Sequence, residues 1–160
     1  MIFEAVNISA LKYFNRLGLS SVQMLEPDKG CAFLEDVTAF IPLKGLIEGG
    51  LILTVSEQLA CFLAKRFLIG DVTEEEAAGC AIEVIAEMTN VIAGNALMDR
   101  ENHDILLGTP VMGVTRKAAI RSHCKAVCIQ PYSTPYGRLQ CIYIGADRKA
   151  ELAGLLTIHS

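Results

Sequence analysis

Glu83, Glu87, Asn90 and Gly94 are the residues whose types and spacing ask for a chemical explanation. On a helix they fall on one line at steps of four, three and four, and Glu76 extends that line seven residues earlier. Two carboxylates one turn apart repel by a few tenths of a kcal/mol in an isolated helix, so their natural complement is a cation. Asn90 has poor helix propensity, and Gln or Lys would serve a solvated face better. Gly94 costs about 1 kcal/mol relative to Ala in a helix interior, and the usual compensation is that something approaches the backbone closely. Stability is thus given up along one line of one helix. Periodicity alone leaves open both a solvated acidic face and a functional line. A metal site would have to be built from Glu83, Glu87 and His103, in a chain with three histidines and with His103 expected in a loop entering a strand.

The helix that carries the line has a well-marked start. Thr73-Glu74-Glu75-Glu76 is a capping box whose acids complement the positive end of the helix dipole, and the helix should run to about Leu97. Its expected core stripe is Ala78, Ala81, Ile82, Ile85, Met88 and Ile92. Upstream, Val6, Ile8, Leu11, Phe14 and Leu17 predict a helix over residues 4–17 that stops at Gly18. Residues 22–41 read as strand, turn, strand around Pro27-Asp28-Lys29-Gly30. Ala39–Leu46 and Leu51–Val55 read as a hairpin about Glu48-Gly49-Gly50. Thr54 or Ser56 caps a helix with the stripe Leu59, Phe62, Leu63 and Phe67, ended by Gly70. Downstream, short apolar runs around Ile105–Leu107, Lys125–Gln130 and Leu139–Gly145 are joined by turn-rich segments such as Pro131–Gly137, and the last dozen residues suggest a short helix or a frayed tail. The expected fold class is therefore α/β, with two layers: a mixed, largely antiparallel sheet with helices packed on one face.

Composition narrows the function further. The chain has 160 residues, 52% hydrophobic and 20% charged, with no Trp and a formal charge of −4. That describes one globular domain, residues 1–160, with enough mass for a core of its own. The mean hydropathy of +0.39 is high for a lone soluble domain, and a homodimer interface is the expected place for the surplus. Lys65 and Arg66 interrupt the best candidate for an ~18-residue membrane run. Met1-Ile2-Phe3-Glu4 offers no basic region before an apolar block, so the expected location is cytoplasmic, with no membrane partner. The six cysteines sit mostly in apolar segments without a Cys-x-x-Cys and are expected to be reduced, buried, small hydrophobes. Residues 105–146 hold five bases and no acid, but these are not interleaved with stacking aromatics and the chain is acidic overall, so nucleic acid is not an expected partner. Neither Gly-x-Ser-x-Gly nor a phosphate-binding glycine loop occurs.

Glu83-x-x-x-Glu87-x-x-Asn90 followed by Val91-Ile92-Ala93-Gly94-Asn95-Ala96 resembles the signature helix of the bacterial chemotaxis phosphatases of the CheX/CheC family. Ala39-Phe40-Ile41-Pro42-Leu43, Glu48-Gly49-Gly50 and Pro110 are similar in order and placement, so the resemblance spans roughly residues 20–145. One copy of the helix is present, as in the CheX branch. The resemblance implies a phosphatase acting on the aspartyl phosphate of CheY-like receiver domains. It implies that Asn90 orients the attacking water and that Glu87 docks the receiver's lysine, with Glu83 and Gly94 in partner contact. No cofactor of its own is implied, since the Mg²⁺ belongs to the receiver. Glu83 stands where the family more often has Asp or Ser, and the gap from Asn90 to Pro110 is shorter than usual. These departures motivate an alternative, a non-catalytic module of the same fold that binds receivers or flagellar-switch proteins.

Overall fold

The computed structural model describes residues 2–27, 31–45, 49–98, 105–115, 119–121 and 128–145. In chain order these form α1 (Ile2–Arg16), β1 (Gln23–Met24), β2 (Cys31–Phe33), β3 (Val37–Gly45), β4 (Gly49–Val55), α2 (Glu57–Phe67), α3 (Glu74–Met98), β5 (Ile105–Leu107), β6 (Val111–Val114), β7 (Ala119–Arg121), β8 (Cys128–Thr134) and β9 (Gly137–Gly145). The main sheet has seven strands in the order β1-β8-β9-β4-β3-β5, with β6 also paired to β3, and β2 pairs β7 in a separate ladder. Every pairing among the described residues is antiparallel.

The helices lie on one face of the sheet. Period-2 alternation sends Val37, Ala39, Ile41 and Leu43 of β3, Leu51, Leu53 and Val55 of β4, and Leu139 and Cys141 of β9 toward them, into a common core with Phe14, Leu59, Leu63, Ile85 and Met88. The opposite face is also covered. Phe40, Ile52, Ile142 and Ile144 form a second buried cluster with Leu34. Beside it runs a buried polar lane. The Thr38 hydroxyl meets those of Thr54 and Thr115, both at 2.7 Å, and Gln140 Nε2 donates to the Phe33 carbonyl at 2.7 Å. Thr115 Oγ1 donates to the Glu35 carbonyl at 2.6 Å, so this lane pins the segment that leads into β3.

Pro42 shapes one edge. β5 and β6 lie on the same side of β3, where Leu43 faces Leu107 and Phe40 faces Val111, so Gly108-Thr109-Pro110 opposes Ile41-Pro42 with one residue too many. Pro42 has no N–H for a partner strand, and its carbonyl takes the Gly108 N–H at 2.8 Å. A Cβ on residue 108 would lie 2.7 Å from Pro42 Cγ, which is why the bulge begins with Gly.

Several expectations change in three dimensions. The strand, turn, strand reading of residues 22–41 does not produce a hairpin: β1 pairs β8 and β2 pairs β7, because each short strand finds a longer or better-matched neighbour far along the chain. The turn-rich Pro131–Gly137 is mostly strand, with only Pro135 and Tyr136 in the turn. In α1, Ile8 is 55% exposed and the core positions are Ile2, Val6, Ser9, Ala10 and Phe14, since residues 6 and 8 cannot share a helix face. Of the cysteines, Cys141 is buried while Cys61, Cys80 and Cys128 are half-buried, and all four are free; the side chains of Cys31 and Cys124 lie outside the described residues. The run around Lys125–Gln130 is described only from Cys128, and His103 and the last dozen residues lie outside as well.

The stop of α1 and the start of α2 are observed as expected, whereas α1 begins earlier, at Ile2, and α2 ends at Phe67 with Leu68 as its cap, before Gly70. Gly18 takes φ 92° just after α1. Ser56 caps α2, accepting from the Leu59 N–H, and Asp36 Oδ2 accepts the Glu57 N–H at 2.8 Å.

Candidate functional site

α3 is the central helix, packed against α1, α2 and strands β3 to β6. Its start is set by Thr73, whose hydroxyl accepts the Glu76 N–H at 3.1 Å and meets the Glu76 carboxylate at 3.2 Å. Twenty-five residues make it long and apolar enough to cross a membrane by length and composition, although no uninterrupted run exists, because Glu83 and Glu87 punctuate it. Its apolar faces are spent on the fold. Neighbours on three sides widen the buried arc beyond the expected stripe: Ala77, Val84, Ala86, Thr89, Ala93, Ala96 and Leu97 are buried alongside Ala81, Ile85, Met88 and Ile92. Ala78 is exposed and Ile82 only half-buried, which corrects the expected stripe at those two positions.

What remains free is a narrow line. Glu83 and Glu87 are exposed and Asn90 and Gly94 half-exposed, all within an arc of about 60° at 100° per residue. Among the described residues neither carboxylate makes an ion pair, and the Asn90 carboxamide has no hydrogen-bond partner. The side chains the fold needs are satisfied elsewhere on the helix, with Thr89 Oγ1 donating to the Ile85 carbonyl at 2.7 Å and Ser9 Oγ of α1 donating to the Ile92 carbonyl at 2.9 Å. Gly94 has no role in internal packing that requires glycine. Among the described residues a Cβ there would meet only Leu107 Cδ1, at 4.0 Å, an ordinary contact. Asn95 is half-buried, on a different side of the helix from Asn90.

Two features of the surroundings went unread in the sequence. Tyr13 of α1 borders the line: burial raises its phenol pKa, Arg16 lowers it, and the Glu87 carboxylate raises it again. α1 also holds its own glutamate and asparagine at the same spacing, Glu4 and Asn7. There the amide is committed, since Asn7 Nδ2 donates to the Phe3 carbonyl at 2.9 Å and Asn7 Oδ1 accepts from the Tyr132 hydroxyl at 2.6 Å. The spacing of Glu4 and Asn7 was the available signal for this second pair; nothing local signals the electrostatic influence of Glu87 on Tyr13.

The largest cleft described lies elsewhere. It is an open groove of about 950 Å³ between α2 and the start of α3, with Phe62 and Tyr136 stacked at 3.9 Å as its wall and Arg66 5.4 Å over the Phe62 ring. Neither this groove nor the shallow one between Ser20 and Pro135 is lined by any residue of the Glu83–Gly94 line. Among the described residues the line therefore stands as an exposed ridge of side chains. Small-molecule enzymes hold substrates in concavities, whereas a ridge of polar side chains suits insertion into a cavity of another macromolecule. Among the described residues no group of three or more His, Cys, Asp or Glu could hold a metal ion.

A mostly antiparallel sheet with helices packed on one face is the architecture of the CheX and CheC chemotaxis proteins. CheX from Vibrio vulnificus matches with a TM-score of 0.69 at 20% identity, covering 90% of this chain and 95% of that one. CheX from Desulfovibrio desulfuricans matches with a TM-score of 0.68 at 18% identity, covering 90% and 98%. A complex of CheX with CheY, BeF3 and Mg²⁺ from Borrelia burgdorferi matches with a TM-score of 0.64 at 22% identity, covering 91% and 97%. Residues 37–131 match the family Chemotaxis phosphatase CheX, and the chain belongs to that family. A comparison with curated proteins finds no match.

Proposed function

We propose that this chain hydrolyses the aspartyl phosphate of a CheY-like receiver domain, with Asn90 orienting the attacking water and Glu87 docking the lysine that the receiver holds beside its phosphorylated aspartate. The observation that carries the reading is the Glu87 and Asn90 pair standing on one line of α3, exposed and half-exposed, with no ion pair or hydrogen bond to any described residue. Membership of the chemotaxis phosphatase family supports it, as does the existence of a CheX complex with CheY on this fold.

The chemistry suits the residues. An acyl phosphate is already activated, so its hydrolysis needs an in-line water and charge stabilisation more than a strong base. Water adds to phosphorus, the aspartate carboxylate leaves, and inorganic phosphate forms. A carboxamide accepts from the water through its oxygen and donates to the phosphoryl group through its nitrogen, orienting the nucleophile without ionising. Glu87, one turn away, pairs with the receiver's ammonium and sets the helix at the depth Asn90 needs. Glu83 adds to the docking charge, and Gly94 lets the partner's backbone lie against α3. The Mg²⁺ is the receiver's own, and the setting is the cytoplasm.

The test is phosphate release from a phosphorylated CheY-like receiver. Wild-type protein at substoichiometric amounts accelerates release, and Asn90→Ala abolishes the acceleration while still binding the receiver. Turnover by Asn90→Ala at the wild-type rate would end this reading. Binding without turnover by the wild type would leave the non-catalytic module. A homodimer is part of the proposal, supported by exposed Phe33, Ile69, Met98 and Leu106, and is checked by light scattering.

A further inference from the structure

We propose that the groove between α2 and the start of α3 binds a small aromatic zwitterion, an amino acid with a ring in its side chain, whose carboxylate sits on Arg66 and whose ammonium sits on Asp71. The site lies apart from the Glu83–Gly94 line and does not rest on the phosphatase reading. Its volume of about 950 Å³ is at the upper end of the range in which small ligands are held. One wall is a single face of α2, on which Cys61, Phe62, Lys65 and Arg66 recur at helical spacing, and the other is the first turns of α3. Tyr136 reaches the groove from the turn between β8 and β9. That turn is pinned, since Ser56 Oγ donates to the Tyr136 carbonyl at 3.1 Å and Thr134 Oγ1 accepts the Tyr136 N–H at 3.1 Å. The stack of Tyr136 on Phe62 is thus built into the fold.

Four charged side chains line the groove, and they are of two kinds. Lys65 and Glu74 face each other from the two helices at 3.9 Å. Arg66 and Asp71 are uncommitted: among the described residues neither side chain makes an ion pair or a hydrogen bond. The Arg66 guanidinium is nevertheless located, 5.4 Å over the Phe62 ring and close to the backbone of Gly18, where an added Cβ would lie 3.7 Å from its Cζ. A guanidinium held against a ring with its N–H donors free is a receptor for a carboxylate. Arg66 and Asp71 line one groove without pairing, so together they fit a ligand that carries both charges. An organic anion alone would meet the Asp71 carboxylate, and an amine alone would meet Arg66. Ala77 and Ala78 keep the α3 wall low, which leaves room for a ring beside the Phe62 and Tyr136 stack.

The experiment is calorimetric titration of the full chain with L-phenylalanine, with phenylpropionate, which lacks the ammonium, and with phenethylamine, which lacks the carboxylate. L-Phenylalanine should bind saturably, and each of the other two about tenfold more weakly, the scale of one hydrogen bond to a charged group. Arg66→Gln and Asp71→Asn, both at exposed positions, should each weaken L-phenylalanine by about five- to tenfold. Ala78→Trp fills the groove from an exposed position on α3 and should abolish binding. All three variants should unfold at the wild-type temperature, so that a loss of binding reports on the groove. No saturable binding of L-phenylalanine up to about 10 mM overturns the proposal. So does binding that phenylpropionate matches, or that both charge variants retain in full. The titration contains no receiver, so its outcome is independent of whether Asn90→Ala loses turnover.

Discussion

α1 and α3 each carry a glutamate followed three residues later by an asparagine, and the fold treats them in opposite ways. On α1 the Asn7 amide is engaged at both ends, its nitrogen by the Phe3 carbonyl and its oxygen by the buried Tyr132. On α3 the Asn90 amide faces outward with neither arm engaged by a described residue. The same residue types at the same spacing thus make a strut in one helix and an available pair in the other. What separates them is the neighbour: β8 reaches across to α1 with Tyr132, while no described residue hydrogen-bonds to the Asn90 amide on α3. Spacing nominates a site, and uncommitted hydrogen-bonding capacity selects one.

The contrast can be broken most severely at the amides. Asn90→Ala is expected to lower receiver dephosphorylation by about 100-fold, the scale of losing alignment of a reacting water. Asn7→Ala is expected to leave turnover unchanged, and phosphate-release assays on the two variants decide the matter. The carboxylates come next. Glu87→Ala should reduce kcat/KM by about tenfold or more through loss of a docked charge pair, whereas Glu4→Ala should not, as read from receiver titrations. The strut is probed by Tyr132→Phe, which should cost about 1 kcal/mol of stability, about 2–4 °C in Tm, without altering turnover. Smallest of all is Gly94→Ala. Because a Cβ fits there, the variant should gain up to about 1 kcal/mol in thermal or denaturant unfolding while binding the receiver less well. A gain in stability with no loss of binding would mean that nothing approaches α3 at that point.

The sequence carried the line itself because helical periodicity is local. Thr73 marked the start of α3, and steps of four, three and four put Glu83, Glu87, Asn90 and Gly94 on one side whatever packed on the others. The β3–β4 hairpin was readable for the same reason, with Val37 to Leu43 pairing Val55 to Gly49 in continuous register. Long-range pairing was not readable. β1 and β2 look like two arms of one turn, yet their partners lie more than 80 residues away, at Ser133 and Arg121. Tyr13 was hidden by the same limit, since its relation to Glu87 exists only once α1 docks on α3. Ala78 and Ile82 were misplaced because a single stripe was assumed for a helix that has neighbours on three sides.

On the proposed reading, Glu87 and Asn90 work from a ridge that no described residue walls off from bulk solvent. A small acyl phosphate diffusing past would gain neither desolvation nor orientation from it, so such compounds should pass by unhydrolysed. On that reading the enclosure is lent by the substrate protein. Drug-sized inhibitors would accordingly find little to grip at Glu87 and Asn90, and selectivity among possible substrates would be decided by which of them opens a hollow deep enough to admit the helix.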